Sequence, residues 1–173
     1  MTRGVALLRG INVGATKRMG MPALVRMFEG MGYTDVQAYI QSGNIVFGAA
    51  SLAGTDAAIR AAIATTFGFD VPVVVRSAAE MTAVYAGSPY PGVDTGRIFV
   101  GFFDRVPDPT RVAALDPNRS PGDRFVVIGA EVWMDLGTNA HSTKLQAAWF
   151  EKKLGVAVTF RNWNTVERLA GMV

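Results

Sequence analysis

Hydrophobic and polar positions along the 173-residue chain fall into alternating short runs, and their periods change in a regular order. Val5 to Leu8 is a continuous apolar run of strand length, and Pro22 to Met31 places apolar residues at helical spacing before Gly32. VQAYIQ then alternates with period two, SGN marks a turn, and IVFG resumes an extended run, which predicts a hairpin about Ser42, Gly43 and Asn44. Asp56 to Phe67 is an Ala-rich amphipathic stretch closed by Gly68, and the β-branched run VPVVV follows from Val71, with Pro72 near the start of a strand or on an edge. The first half thus reads β-α-β-β-α-β.

Ser77 and Glu80 stand at the spacing of a capping box and open a short helix to about Ala86. SPYPGVDTG, residues 88–96, holds two prolines and two glycines and marks the seam between halves. Beyond it the order recurs. RIFVGFF predicts a strand, Pro109 to Leu115 a short helix, RFVVIG and EVWMDL a hairpin about Gly129 and Ala130, Ser142 to Leu154 a longer helix, and VAVTF a last strand. A helix from about Thr165 to Ala170 closes the chain. The expected fold is α+β, with two ferredoxin-like halves packed into one compact unit: residues 1–87 with a bridging helix, the seam 88–96, and residues 97–173.

That topology makes a spatial prediction. In each half the third strand lies between the first and second, so the end of strand one shares an edge with the turn between strands two and three. Arg9, Gly10, Ile11 and Asn12 are expected beside Ser42, Gly43 and Asn44, with Gly14 in the same loop and Asp70 at the same rim. In the second half, His141, Ser142 and Lys144 are expected on an edge with Arg161 and Asn162, followed by Trp163 and Asn164.

Composition narrows the chemistry. The chain is half hydrophobic and 18% charged, which supports a folded core. It has no cysteine, so disulfides, thiolate nucleophiles and Cys-ligated metal centres are excluded. No apolar run approaches the ~20 residues of a membrane span and the start of the chain lacks a signal-like region, which predicts a cytoplasmic protein with no membrane partner. The net charge of +3 is unevenly placed. Arg3, Arg9, Lys17, Arg18 and Arg26 face Glu29 alone in residues 1–34, a bias that favours an anionic partner such as a nucleotide or nucleic acid. The alternative is ordinary solvated charge.

The sharp motifs are absent. Gly10 to Gly14 is one residue short of a Walker loop and Lys17 is displaced, and no G-x-G-x-x-G occurs. A generic anion site remains, because amides of a glycine-rich loop and of a helix start present donors to whatever sits there. In TFRNWNTVERL, Asn164 and Glu167 have capping-box spacing, while Arg161 offers an anion clamp and Trp163 a stacking surface against the plainer reading of edge cation and core cap. His141 is the single histidine, and Ser142 reads as the N-cap of the next helix rather than a nucleophile. No metal spacing and no paired carboxylates stand out, so no metal, cofactor or catalytic residue is assigned, and enzyme status stays open. RIFVGFF has the look of an RNA-contacting strand, but EVWMDL lacks the matching aromatic partner, so Phe99, Phe102 and Phe103 are expected in the core.

The segments LLRGINVG, MGMPALVRMFEGMGYTDVQAYIQSGNIVF, STKL and FEKKLGVAVTFRNWNTVERL closely resemble the bacterial family called domain of unknown function 1697. The resemblance spans nearly the whole chain and implies a compact cytoplasmic protein of two ferredoxin-like halves. It implies no activity, since the family has none established, and carries over no catalytic residue. Phe160, where the family often has a small hydroxyl residue, and the GTNAH loop depart from the pattern. The readings carried forward are a binder of a phosphate-bearing ligand at the polar rims, or alternatively a protein-interaction or structural module with no small-molecule ligand.

Overall fold

A computed structural model describes residues 1–173. Its elements follow the order β1 (Thr2–Leu8), α1 (Met21–Gly30), β2 (Thr34–Tyr39), β3 (Asn44–Ala49), α2 (Thr55–Phe67), β4 (Val73–Ser77) and α3 (Ala78–Ala86), then β5 (Ile98–Phe103), α4 (Pro109–Ala113), β6 (Asp123–Ile128), β7 (Glu131–Leu136), α5 (Ala147–Leu154), β8 (Val158–Asn162) and α6 (Trp163–Ala170). The strands form two four-stranded sheets, ordered β2-β3-β1-β4 and β6-β7-β5-β8. Every pairing is antiparallel. This is the order of the ferredoxin-like unit, formed twice.

Two compact units result, Met1–Ala83 with Leu169–Val173, and Val84–Arg168. The division falls within α3. In the first unit, Leu24 and Phe28 of α1 and Ile59 and Ile63 of α2 stand four residues apart on one helical face each and pack on Ala6, Leu8, Ile45 and Phe47 of the sheet. Full burial of each large side chain contributes about 1.5–3 kcal/mol. In the second, Phe150 and Leu154 of α5 pack on Phe103, Val132, Met134 and Leu136. Phe103 is wholly buried with Phe99 half-buried against the same core, and Phe102 is wholly buried on the other face of the strand, so this strand presents no ladder of open aromatic rings for bases.

The Ser77–Glu80 capping box forms as the spacing predicts. Ser77 Oγ accepts from the Glu80 amide at 3.2 Å, and Glu80 Oε2 accepts from the Ser77 amide at 2.7 Å. β4 begins only after Pro72, on the sheet edge where a missing N–H costs no ladder bond.

Two boundaries differ from the sequence reading. The helix expected from Ser142 starts at Ala147 with Gln146 as N-cap, because the preceding amides are engaged elsewhere: those of His141 and Ser142 donate to Asn139 Oδ1, that of Lys144 to Ser120 Oγ, and that of Leu145 to Thr143 Oγ1. Ser142 is therefore not a helix cap. The cap of α6 is Asn162, whose Oδ1 accepts from the Thr165 amide at 2.9 Å, whereas Asn164 lies inside the first turn.

Candidate functional site

In the first unit the end of β1 meets both neighbouring connections. The Leu8 amide donates to Gly43 O at 2.8 Å and the Arg9 amide to Pro72 O at 3.0 Å, so the β2–β3 turn and the entry to β4 flank the loop that starts at Arg9. Gly43 is required by this approach. Its φ is +85°, and an added Cβ would stand 2.8 Å from both Leu8 Cβ and Ile11 Cδ1.

Asn12 organises the loop. Its Nδ2 donates to Met19 O and to Gln41 O, each at 2.9 Å, and its Oδ1 accepts from the Met19 amide at 2.8 Å. The backbone amide of Asn12 closes the same ring on Lys17 O at 3.2 Å. Residues 12–19 are thereby gathered into a loop, with Gly10, Asn12, Gly14 and Lys17 all in the left-handed region. On the facing turn, Asn44 is fully buried and its Nδ2 donates to Tyr39 O at 2.9 Å and Ser42 Oγ at 3.0 Å. The expected meeting of Arg9, Gly10 and Asn12 with Ser42, Gly43 and Asn44 is present, but both asparagine amides are spent on holding the chain.

The rim is cationic. Lys17 Nζ donates to Asp70 O at 2.8 Å, and Arg60 grips the Asp70 carboxylate through Nε and Nη2. The hydrogen bond from Arg60 holds the Asp70 carboxyl below its ordinary range, helped by the nearby charges of Arg60 and Lys17. Asp70 is thus held at this edge by Lys17 through its carbonyl and by Arg60 through its carboxylate. Val13 and Ile40 are exposed here, and Ile40 carries a φ of +50°, an uncommon conformation for a β-branched residue.

The second group of sequence-predicted residues does not assemble. Lys144 is exposed, between Thr143 and Leu145, which line a cavity of about 190 Å³ with Phe99, Met134 and Phe160. Along β8, Phe160 belongs to the core beneath α5, so the alternation of the strand sends Arg161 to the opposite sheet face. There Arg161 is buried and donates through Nη1 to Thr159 Oγ1 and Phe160 O, each at 2.8 Å. Desolvation by burial lowers its guanidinium to about 10. Trp163 stacks on Tyr85 at 5.7 Å and lies 6.0 Å from Trp133, a packing role, while Asn162 serves as the cap. Asn164 is exposed in the first turn of α6.

Two polar clusters of the second unit escaped the sequence reading. Asp123 is buried and ties three segments together: Ser120 Oγ donates to its Oδ2 at 2.6 Å, and the amide and hydroxyl of Thr138 donate to its Oδ1, each at 2.9 Å. Burial raises the Asp123 carboxyl, but hydrogen bonds from Ser120, Thr138 and Thr143 outweigh it, and the net shift is downward. Asp135, with no exposed surface, accepts from Arg97 and Arg124 on opposite sides, and Arg124 lies over the ring of Tyr90 at 5.0 Å. The hydrogen bond to Asp135 raises the Arg124 guanidinium further, and burial raises the Tyr90 hydroxyl. The signal available was Asp135 itself, a carboxylate inside the apolar strand EVWMDL. Its partners lie 38 and 11 residues away and depend on sheet register.

The fold and rim define an α+β protein made of two ferredoxin-like units with a cationic edge on the first. The chain belongs to the family described as protein of unknown function (DUF1697), whose profile matches residues 1–133. A solved structure of a conserved bacterial protein from Streptococcus pneumoniae is similar in fold, with a TM-score of 0.73 and 23% sequence identity over 99% of this chain and 98% of that one. No curated protein matches the chain. No helix is long and apolar enough to cross a membrane.

Proposed function

We propose that the protein binds a phosphate-bearing ligand, a nucleotide or a nucleic acid, at the rim formed by residues 9–19, the turn at 40–44 and the entry to β4. The observation that carries this reading is the loop closed by Asn12. One side chain fixes residues 12–19 against the hairpin turn, so the loop is shaped before any ligand arrives. It leads directly into α1, whose N-cap Gly20 supplies no side-chain acceptor and whose first turn carries no acidic residue. Pro22 has no N–H and the Ala23 amide donates to Gly20 O, so the Met21 amide is the donor that this helix start offers to an anion. Arg9, Lys17 and Arg18 add charge of the right sign.

The dispersal of Lys144, Arg161, Asn162, Trp163 and Asn164 narrows the reading to the first rim. A second reading, a structural or protein-interaction module, is favoured by one observation: Asn12 and Asn44 direct their amides to the chain itself. Titration with nucleoside triphosphates and short oligonucleotides at low and moderate salt separates the two. Salt-sensitive binding that weakens in Arg9→Ala and Arg18→Ala supports the first. Absence of binding to every ligand, with stability lost in Arg9→Ala, supports the second.

A further inference from the structure

Asp135 on β7 pairs across the ladder with Ile98 on one side and Arg124 on the other, two residues along the same sheet face from Trp133. The carboxylate is fully buried. A buried carboxylate persists as an anion when donors take its oxygens, and one guanidinium engaging both oxygens through a single edge is sufficient for that. Here two are used. Arg97 donates Nε to Oδ1 at 2.8 Å with Nη2 2.7 Å from the same oxygen, while Arg124 donates Nε to Oδ2 at 3.0 Å and Nη2 to that oxygen as well.

Each guanidinium thus spends one edge on one oxygen. A guanidinium has five N–H donors in a fixed plane, so the Nη1 group of each takes no part in these bonds. Both side chains are well exposed, 47% for Arg97 and 62% for Arg124, although the carboxylate that fixes them is not. Arg124 is held further by the Tyr90 ring. The cluster carries one more positive charge than negative, with two cations tethered to one anion. Their mutual repulsion is relieved by a second anion on the outer side.

We propose that Arg97 and Arg124 form a binding site for a terminal phosphate group, as in inorganic phosphate or a small phosphate monoester, with Asp135 as the positioning residue. This site belongs to the second unit and is separate from the rim of residues 9–19. A terminal phosphate matches it better than the alternatives. Its tetrahedral group offers three oxygens, enough for two separate guanidinium groups, whereas a carboxylate is planar and satisfied by one edge. A phosphodiester has two free oxygens where a terminal phosphate has three, and its second ester substituent crowds the outer side.

The test is a titration of the full chain with inorganic phosphate, with dimethyl phosphate and acetate as comparisons, read by calorimetry and by thermal shift. Arg97→Ala and Arg124→Ala each leave Asp135 one arginine partner, so the fold is preserved. Arg97→Lys and Arg124→Lys keep a cation at the substituted position where alanine does not. Expected are preference for phosphate over both comparisons, at least a tenfold loss of affinity in each alanine variant, partial retention in the lysine variants, and no change in Lys152→Ala, an exposed position on α5 outside both sites. Absence of phosphate binding in the unaltered protein overturns the proposal. So does binding that survives both alanine variants, or binding lost only in Arg18→Ala, which assigns the anion to the first rim instead.

Discussion

The side chain of Asn12 donates to the carbonyl oxygen of Gln41 at 2.9 Å, fastening the loop after the first strand to a hairpin turn 29 residues away. Together with its reciprocal bonds to Met19, this makes one asparagine responsible for the shape of the rim. Asn12→Ala is expected to destabilise the protein by about 1–3 kcal/mol, because two carbonyls and an amide lose their partner at once. Asn12→Asp keeps the acceptor for Met19 and is expected to lose less. Urea unfolding of the three proteins measures both, and a neutral Asn12→Ala contradicts the role assigned to it.

Gly43 is expected to tolerate no side chain. The positive φ and the 2.8 Å approach to Leu8 and Ile11 act together, so Gly43→Ala should cost about 1–3 kcal/mol. Gly101 is crowded for a different reason, since a Cβ there would stand 2.5 Å from Phe160 Cε1 and 2.6 Å from Val132 Cγ1. Gly101→Ala should destabilise by a similar amount through overpacking. Melting temperatures check both, and an unchanged value for either variant removes its packing argument.

The helix caps give a contrast within one motif. Ser77→Ala and Asn162→Ala each remove a side-chain acceptor at a helix start and should cost about 1 kcal/mol. Asn164→Ala should be close to neutral. Comparable losses at Asn162 and Asn164 in chemical denaturation contradict the assignment of the cap.

Asp123 predicts acid sensitivity. Its carboxyl is held below the ordinary value in the folded protein, so the unfolded chain binds the proton more readily. The stability it contributes is present above the unfolded carboxylate pKa, about 3.9, and is lost as pH falls through the lower folded value. Denaturation curves of Asp123→Asn should therefore show lower stability near neutrality and a flatter decline below about pH 4. A decline as steep as that of the unaltered protein places the acid-labile group elsewhere.

The element order was legible because it rests on local signals. Leu24 and Phe28, or Ile59 and Ile63, declare a helix face by spacing alone, and the turn at Ser42–Asn44 declares a hairpin. Knowledge of the topology then sufficed to bring Arg9–Asn12 to Ser42–Asn44. What stayed hidden was how polar side chains are spent. Nothing in NVGATKRMG says that Asn12 serves Met19 and Gln41 rather than a ligand, and nothing near Ser142 announces that Ser120 and Asn139 take the amides that delay α5. The late start of that helix and the Arg97–Asp135–Arg124 cluster both follow from contacts set by sheet register, which local pattern does not specify.

The proposal for the first rim is tested most directly by recording backbone amide resonances of the isotope-labelled protein during titration with a nucleoside triphosphate at low salt. The account predicts shifts concentrated in residues 9–19, at Ser42 and Gly43, and at the start of α1, reversed by added salt and diminished in Arg18→Ala. Unshifted amides throughout these segments at millimolar ligand, or shifts confined to Arg97, Arg124 and their neighbours, would contradict it.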